Sequence, residues 1–126
     1  MKKLLFYTLI FTALMACTDR FDFSKIKLND TNWTANDDQA SYILSFDSKG
    51  ENCRLSIEYH NYPLQNTSQE LLCERGTDFI NLYFYSDNKI THIGNFLSKT
   101  QLALSEWDNG QTGKVLAILQ KAASNK

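Results

Sequence analysis

The chain has 126 residues, a length typical of one domain, and a formal net charge of −1. Its 13 basic and 14 acidic residues are nearly balanced and form no lysine- or arginine-rich run, which argues against a nucleic-acid-binding protein. The two histidines, His60 and His92, have no metal-ligand spacing, and no serine elbow, phosphate loop or cysteine–histidine pattern occurs. The sequence therefore predicts neither an enzyme nor a metal site.

The N-terminal residues have the features of an export signal. Lys2 and Lys3 precede the uncharged apolar stretch 4–14, which is shorter than the about 20 residues of a membrane-spanning helix. The segment 14–17, "LMAC", resembles the lipobox of bacterial lipoproteins. That resemblance implies a signal-peptide helix over 1–16, cleavage after Ala16, and a covalent diacylglycerol lipid on Cys17 with no other cofactor. The alternative is a buried helix over 4–15 with Cys17 as a core thiol.

The resemblance also implies a location. In this family the residues after the lipidated cysteine influence sorting, and Thr18 is not the aspartate that typically retains a lipoprotein at the inner membrane. We therefore expect a cell-envelope protein, lipid-anchored to the outer membrane on its periplasmic face. A single-membrane host remains the alternative. Cleavage leaves 11 of the 13 basic residues against 14 acidic ones, a net charge of −3.

Two further cysteines, Cys53 and Cys73, remain in the expected mature chain. An even pair in an oxidising compartment predicts a disulfide. The segment between them centres on Pro63, and a hairpin folded there places the two cysteines nearly opposite each other. Two free buried thiols, or metal or redox chemistry, are the alternatives.

Residues 17–30 are expected to be the lipidated cysteine and a polar tether. The tether contains Phe21, Phe23, Ile26 and Leu28, so it is either a linker or a short strand or turn that docks on the domain. Residues 31–121 are expected to form the domain, and 122–126 a C-terminal tail.

The domain has an alternating pattern that predicts about eight short strands. The clearest run is 53–60, "CRLSIEYH", whose apolar and polar residues alternate as in a strand with one solvated face. Asn109-Gly110 predicts a type I′ hairpin turn, and Gly94 predicts a bulge or bend. The stretch 114–126 fits a strand or a helix, and the preceding turn favours a strand. The segments that carry the strands are 31–36, 40–50, 53–60, 68–74, 79–89, 89–97 and 101–121.

This spacing predicts an all-β fold, an antiparallel up-and-down meander that closes into a small barrel. The opening "LNDTNW" (28–33), the meander and the closing hairpin 102–121 resemble the lipocalin-like lipoproteins of Gram-negative bacteria. The resemblance implies that Trp33 plugs the base of the barrel. META-domain lipoproteins and barrel-shaped lysozyme-inhibitor lipoproteins share the size, anchor and cysteine pair and remain alternatives.

Aromatic residues supply the candidate binding positions. Phe79, Tyr83 and Tyr85 fall on the strand face opposite Ile80 and Leu82. Either that face packs against the segment 21–23, or it is an exposed patch that binds a partner. The possible binding residues are Tyr59, His60, Tyr62, Leu64, Tyr83 and Tyr85.

The expected function is a membrane-anchored binding module without catalysis. Its partner would be a small apolar ligand in the barrel or another envelope protein. The alternative is an inhibitor or immunity lipoprotein that binds a periplasmic hydrolase or toxin through the loop 60–68. A structural envelope component with no discrete site is a third possibility.

Overall fold

The alternating segments form eight antiparallel strands that close into one barrel in the computed structural model, which describes residues 22–123. Each strand pairs with the next one in the chain, and the last pairs with the first. The predicted all-β, up-and-down barrel is therefore confirmed. The strands are β1 Asn32–Asn36, β2 Ala40–Phe46, β3 Asn52–Tyr59, β4 Thr67–Arg75, β5 Phe79–Phe84, β6 Ile90–Ser98, β7 Gln101–Asp108 and β8 Gln111–Lys121.

The closing hairpin has the turn that its sequence predicts. Asn109 and Gly110 have φ angles of 48° and 83°, the positive values that a type I′ turn requires at both central residues. The residues after the turn continue as β8, so the ambiguous C-terminal stretch is a strand as far as Lys121.

Large apolar side chains fill the inside of the barrel. Trp33 is fully buried, its ring centroid lies 5.9 Å from that of Phe96, and its Nε1 donates to Thr31 Oγ1 over 3.0 Å. Leucines from six of the strands occupy the rest of this core and are essentially inaccessible to solvent. They are Leu44, Leu55, Leu71, Leu82, Leu102, Leu104 and Leu119.

The segment 22–30 docks on one end of the barrel, which decides between the two possibilities for the tether. Residues Phe23–Lys25 form a 3₁₀ turn, and Ile26 and Leu28 are only 7% and 3% exposed. The Asp30 backbone N–H donates to the Asp47 carbonyl oxygen over 2.9 Å. The folded unit therefore includes this segment, which we term the plug.

Arg75 fixes the plug to the barrel. Its guanidinium group donates hydrogen bonds to the backbone carbonyl oxygens of Phe23 and Ile26 and lies over the ring of Phe96. The ring of Phe23 stacks on the same Phe96, with 6.4 Å between centroids. Phe23 thus contacts β6, and whether the segment 21–23 also covers the outer face of β5 stays a prediction, because Phe21 lies outside the described residues.

Gly94 is not at a bulge, contrary to its prediction. It pairs in register with Ile80 on one side and Leu104 on the other, and the irregularity between β5 and β6 falls between Leu82 and Tyr83. A Cβ atom at Gly94 would lie 3.0 Å from Leu102 Cδ1. This glycine provides space for a buried leucine instead of bending the strand.

The expected signal peptide 1–16, Cys17, the segment 18–21 and most of the tail 122–126 lie outside the described residues 22–123. Between residues 22 and 123, no helix is long and apolar enough to cross a membrane.

Candidate functional site

The up-and-down topology divides the connecting segments between two ends of the barrel. The plug and the turns 47–51, 76–78 and 99–100 lie at one end, which we term the plugged end. The connections 37–39, 60–66, 85–89 and 109–110 lie at the opposite end, which we term the distal end. Among these connections, the loop 60–66 between β3 and β4 contains three of the six predicted binding residues, and Tyr59 directly precedes it.

Local hydrogen bonds shape the loop 60–66. Residues Pro63–Gln65 form a 3₁₀ turn, for which the fixed φ of proline at the first position is suited. The Gln65 N–H donates to the Tyr62 carbonyl oxygen over 2.9 Å. At the base of the loop, the Tyr59 N–H donates to Asn66 Oδ1 over 2.6 Å. The loop therefore has its own backbone bonding and a closed base.

Two large apolar side chains project from this loop into solvent. Leu64 is 101% exposed and Tyr62 is 61% exposed. Adjacent exposed apolar groups on a braced loop are typical of a surface that a partner covers. Tyr59, by contrast, is half-buried at the end of β3. It packs against the core and so supports the base of the loop.

His60 joins the loop to the neighbouring connection between β1 and β2. Its backbone N–H donates to the Gln39 carbonyl oxygen over 3.0 Å, and its Nε2 lies 3.0 Å from Ser41 Oγ. Asp37 organises that second connection through its Oδ1, which accepts from the backbone N–H groups of Ala40 and Gln39, each over 2.8 Å. These bonds lower the pKa of Asp37. His60 is therefore exposed, but its hydrogen bonds hold the loop 60–66 against the β1–β2 connection.

Tyr83 and Tyr85 lie on the outer wall, away from the loop 60–66. The Tyr83 hydroxyl donates to Glu74 Oε2 over 2.6 Å, and burial together with this bond raises the pKa of Tyr83 to about 12. The Tyr85 hydroxyl donates to Asn52 Oδ1. The structure therefore brings Tyr59, His60, Tyr62 and Leu64 together and separates the other two predicted residues from them.

The two cysteines lie on neighbouring strands, as expected, but not opposite each other. Cys53 pairs with Leu71, and Cys73 lies two residues farther along β4. The hairpin is centred one residue earlier than Pro63, which shifts the pairing by two positions. Both side chains are free thiols in this structure. Burial raises the pKa of both, that of Cys73 to about 12, and each cysteine is close enough to Asp47 to be affected by its charge.

Arg75 is the residue that the sequence-based interpretation missed. The sequence pattern indicates only a polar residue at the end of a strand. In the structure, burial lowers the pKa of Arg75, and its Nε is a buried atom with no hydrogen-bond partner. It also lines a surface groove of about 1000 Å³ between the plug and β4, together with Lys27, Glu74 and Tyr83. An arginine next to a glycine gave no signal for this role.

Within residues 22–123, no group of three or more histidine, cysteine, aspartate or glutamate side chains is placed to hold a metal ion. Comparisons of the chain with protein-family models, with characterised proteins and with solved structures find no match.

Proposed function

We propose that this protein is a lipid-anchored cell-envelope module that binds another envelope protein through the loop 60–66 at the distal end of the barrel. The observation that supports this proposal most directly is the exposure of Leu64 and Tyr62 on a loop with internal hydrogen bonds. A preorganised loop loses little conformational freedom on binding, which favours affinity. An aromatic side chain that enters a pocket of the partner is a common source of binding energy.

The filled interior favours a protein partner over a small apolar ligand inside the barrel. Small eight-stranded barrels hold side chains or at most one small ligand. Here the leucines of β2, β3, β4, β5, β7 and β8 occupy that space. A ligand could enter only if several of them moved, at a cost of several kcal/mol in lost packing.

The anchor in this proposal rests on the sequence. The lipobox-like segment 14–17 supplies Cys17 as the site of a diacylglycerol lipid, and Thr18 favours the outer membrane with the barrel on the periplasmic face. Two acyl chains give a stable anchor. A periplasmic hydrolase or toxin is the class of partner that a projecting loop with an apolar tip fits, because such enzymes have clefts that a loop can occupy. The proposed role involves binding only, without catalysis.

A site-specific photocrosslinker at position 64 tests the proposal in intact cells. We expect a crosslinked envelope protein that a crosslinker at Leu97, an exposed apolar residue of the barrel wall, does not capture. With that protein purified, the double variant Tyr62→Ala/Leu64→Ala should weaken binding at least about 30-fold, since two contacts of about 1–2 kcal/mol each are removed.

The matched control is Leu97→Ala/Val115→Ala, which removes two half-exposed apolar side chains away from the loop. It should leave the affinity within about twofold. Equal binding by the loop variant and the unchanged protein would refute the proposal.

A further inference from the structure

Four lysines surround a shallow depression at the plugged end. The depression has a volume of about 340 Å³ and lies where the plug, the β6–β7 turn and the end of β8 meet. Its lining contains no aspartate or glutamate. The six lining residues are Lys25, Ile26, Lys27, Lys99, Thr100 and Lys121. We term the four lysines the lysine face.

Backbone contacts hold the lysine face in place. The Lys121 N–H donates to the Thr100 carbonyl oxygen over 2.8 Å, which ties the end of β8 to the β6–β7 turn. Ile26 is buried, and Arg75 binds its carbonyl oxygen, so the backbone on both sides of Ile26 is fixed. Lys25 and Lys27 flank this position. The four charges are therefore presented from three fixed segments.

The lysine face has little internal neutralisation. Within residues 22–123 the structure has one ion pair, between Arg54 and Glu70, so none of the four lysines forms an ion pair there. Asp22 is close enough to Lys25 for that charge to lower its pKa, but the bonds from Ser24 have the larger effect. Asp47, another acidic residue of this end, accepts hydrogen bonds from its own turn and does not line the depression.

The distal end has the opposite charge. Its connections and strand ends contain Asp37, Asp38, Asp87 and Asp108, with Lys89 as the basic residue among the turns. The plugged end as a whole has mixed charge, because Asp22, Asp30, Asp47, Glu51 and Asp78 also lie there, but none of them lines the depression. The lysine face is therefore a local basic patch at one end of a barrel whose other end is acidic. Such an arrangement orients a molecule at a charged surface.

The chain enters the domain at the same end. Four residues separate Cys17 from Asp22, and the five residue-to-residue steps between them span at most about 18 Å when fully extended. An anchor at Cys17 would thus keep Asp22, which begins the plug that carries Lys25 and Lys27, within about 18 Å of the lipid headgroups, so that these lysines can reach the headgroups directly. The distal end, with the loop 60–66, would point away from the lipid.

We propose that the lysine face docks on anionic phospholipid headgroups and holds the barrel with its plugged end on the membrane and the loop 60–66 directed outward. This inference rests on the proposed anchor at Cys17, and it assigns a second, electrostatic contact to the membrane. The lipid phosphates are the partner, because an anchor at Cys17 would hold them at a high local concentration beside the lysine face, which soluble anions lack.

The test reproduces the anchor without bacterial lipidation. A chain that begins at Cys17 keeps every contact of residues 22–123. The thiols of Cys53, which is buried, and Cys73, which is partly buried, have raised pKa values that disfavour reaction. Cys17 is coupled to a maleimide lipid in vesicles of phosphatidylcholine alone or with about 30% phosphatidylglycerol. Acetylation rates of individual lysines are then measured by mass spectrometry.

In the anionic vesicles, we expect Lys99 and Lys121 to react at least about fivefold more slowly than in the neutral ones, as one favourable headgroup contact per lysine implies. The exposed Lys89 and Lys114, toward the distal end, should react equally in both. About 1 M salt should abolish the protection. Lys25→Gln/Lys27→Gln should reduce the protection of Lys99 and Lys121, whereas Lys89→Gln/Lys114→Gln should not.

Equal acetylation of all four reporter lysines in the two vesicle types would overturn the inference. Protection by soluble polyphosphate but not by anionic vesicles would also overturn it and would assign the lysine face to a soluble polyanion. Neither result bears on bacterial lipidation of Cys17 or on partner binding by the loop 60–66, because both are tested separately.

Discussion

The guanidinium carbon of Arg75 lies 4.9 Å from the centroid of the Phe96 ring, and the same guanidinium group donates to two carbonyl oxygens of the plug. One side chain thus connects β4, β6 and the segment that leads toward the proposed anchor. Arginine suits this position because its planar group stacks on a ring while its edge donates in a fixed geometry.

Arg75→Ala should destabilise the fold by about 2–4 kcal/mol, because it removes the ring contact and both hydrogen bonds to the plug. The Phe23 carbonyl oxygen keeps the Ile26 N–H as a donor, whereas the Ile26 carbonyl oxygen loses the guanidinium donor. Arg75→Lys should recover only part of this loss, since an ammonium group cannot donate to both carbonyls and stack on Phe96 at once. Urea unfolding monitored by tryptophan fluorescence gives both values.

Arg54→Ala is the matched control for Arg75. Arg54 pairs with Glu70 on the outer wall, where the two side chains are 60% and 66% exposed. Its loss should cost less than about 1 kcal/mol. Equal effects of the two substitutions would show that Arg75 does not hold the plug.

Gly94→Ala should destabilise the barrel by about 1–3 kcal/mol through overpacking, because the new Cβ lies against the buried Leu102. Leu102→Val in the same chain should recover part of that loss. Gly110→Ala should also destabilise the barrel, but for another reason: its φ of 83° is unfavourable for alanine, and no atom lies near the new Cβ. Leu102→Val should therefore not rescue Gly110→Ala. Additive effects of Gly94→Ala and Leu102→Val in urea unfolding would contradict this explanation.

His92 should make stability depend on pH. Burial lowers its pKa below the ordinary value of 6.5, partly offset by Glu106. The unfolded chain then binds the proton more readily, so the contribution of His92 is intact above about pH 6.5 and is lost as the pH falls below it. The melting temperature should drop between pH 7.5 and pH 5, above the range in which carboxylates take up protons.

His92→Gln should show a smaller drop over the same interval. Thermal unfolding by circular dichroism at several pH values measures both proteins. A pH dependence identical to that of the unchanged chain would exclude His92 as the cause.

The disulfide between Cys53 and Cys73 stays a prediction for the exported protein. Diagonal neighbours in a sheet are about 7–8 Å apart at Cα, slightly beyond the usual disulfide range, so the bond requires a small local shift of β3 against β4. If it forms, it closes a loop of about 20 residues and stabilises the chain by about 3 kcal/mol. Cys53→Ser and the double serine variant should then lose similar stability. Two titratable thiols in unreduced, denatured protein would refute the bond.

The strands could be predicted because each has a local pattern. Alternation from Cys53 to His60 and the Asn109-Gly110 turn depend on neighbours in the sequence, and the structure has both features. The register of β3 and β4 was harder to predict, because Thr67, the first residue of β4, pairs with Ile57 and leaves the last two residues of β3 without a paired residue on β4. The hairpin is centred one residue earlier than predicted, so Cys53 pairs with Leu71 and not with Cys73.

The plug and its arginine could not be predicted, for a different reason. Arg75 binds carbonyl oxygens 49 and 52 positions earlier in the chain, and backbone acceptors have no sequence signature. Gly94 was misassigned because a glycine in a strand indicates either a bulge or a close neighbour, and only the position of Leu102 distinguishes them. At the candidate site, Tyr62 and Leu64 could be predicted from the sequence, because both flank Pro63 in the segment that follows the end of a strand.

The central claim is that this barrel is lipid-anchored, and intact-mass spectrometry of the protein extracted from bacterial membranes tests it most directly. The account predicts a chain without residues 1–16 that has the mass of a diacylglyceryl modification on Cys17. A Cys17→Ser variant, which lacks the acceptor thiol, should retain residues 1–16 and lack the lipid. An unlipidated native chain that retains Met1 would contradict the anchor and, with it, the proposed envelope function.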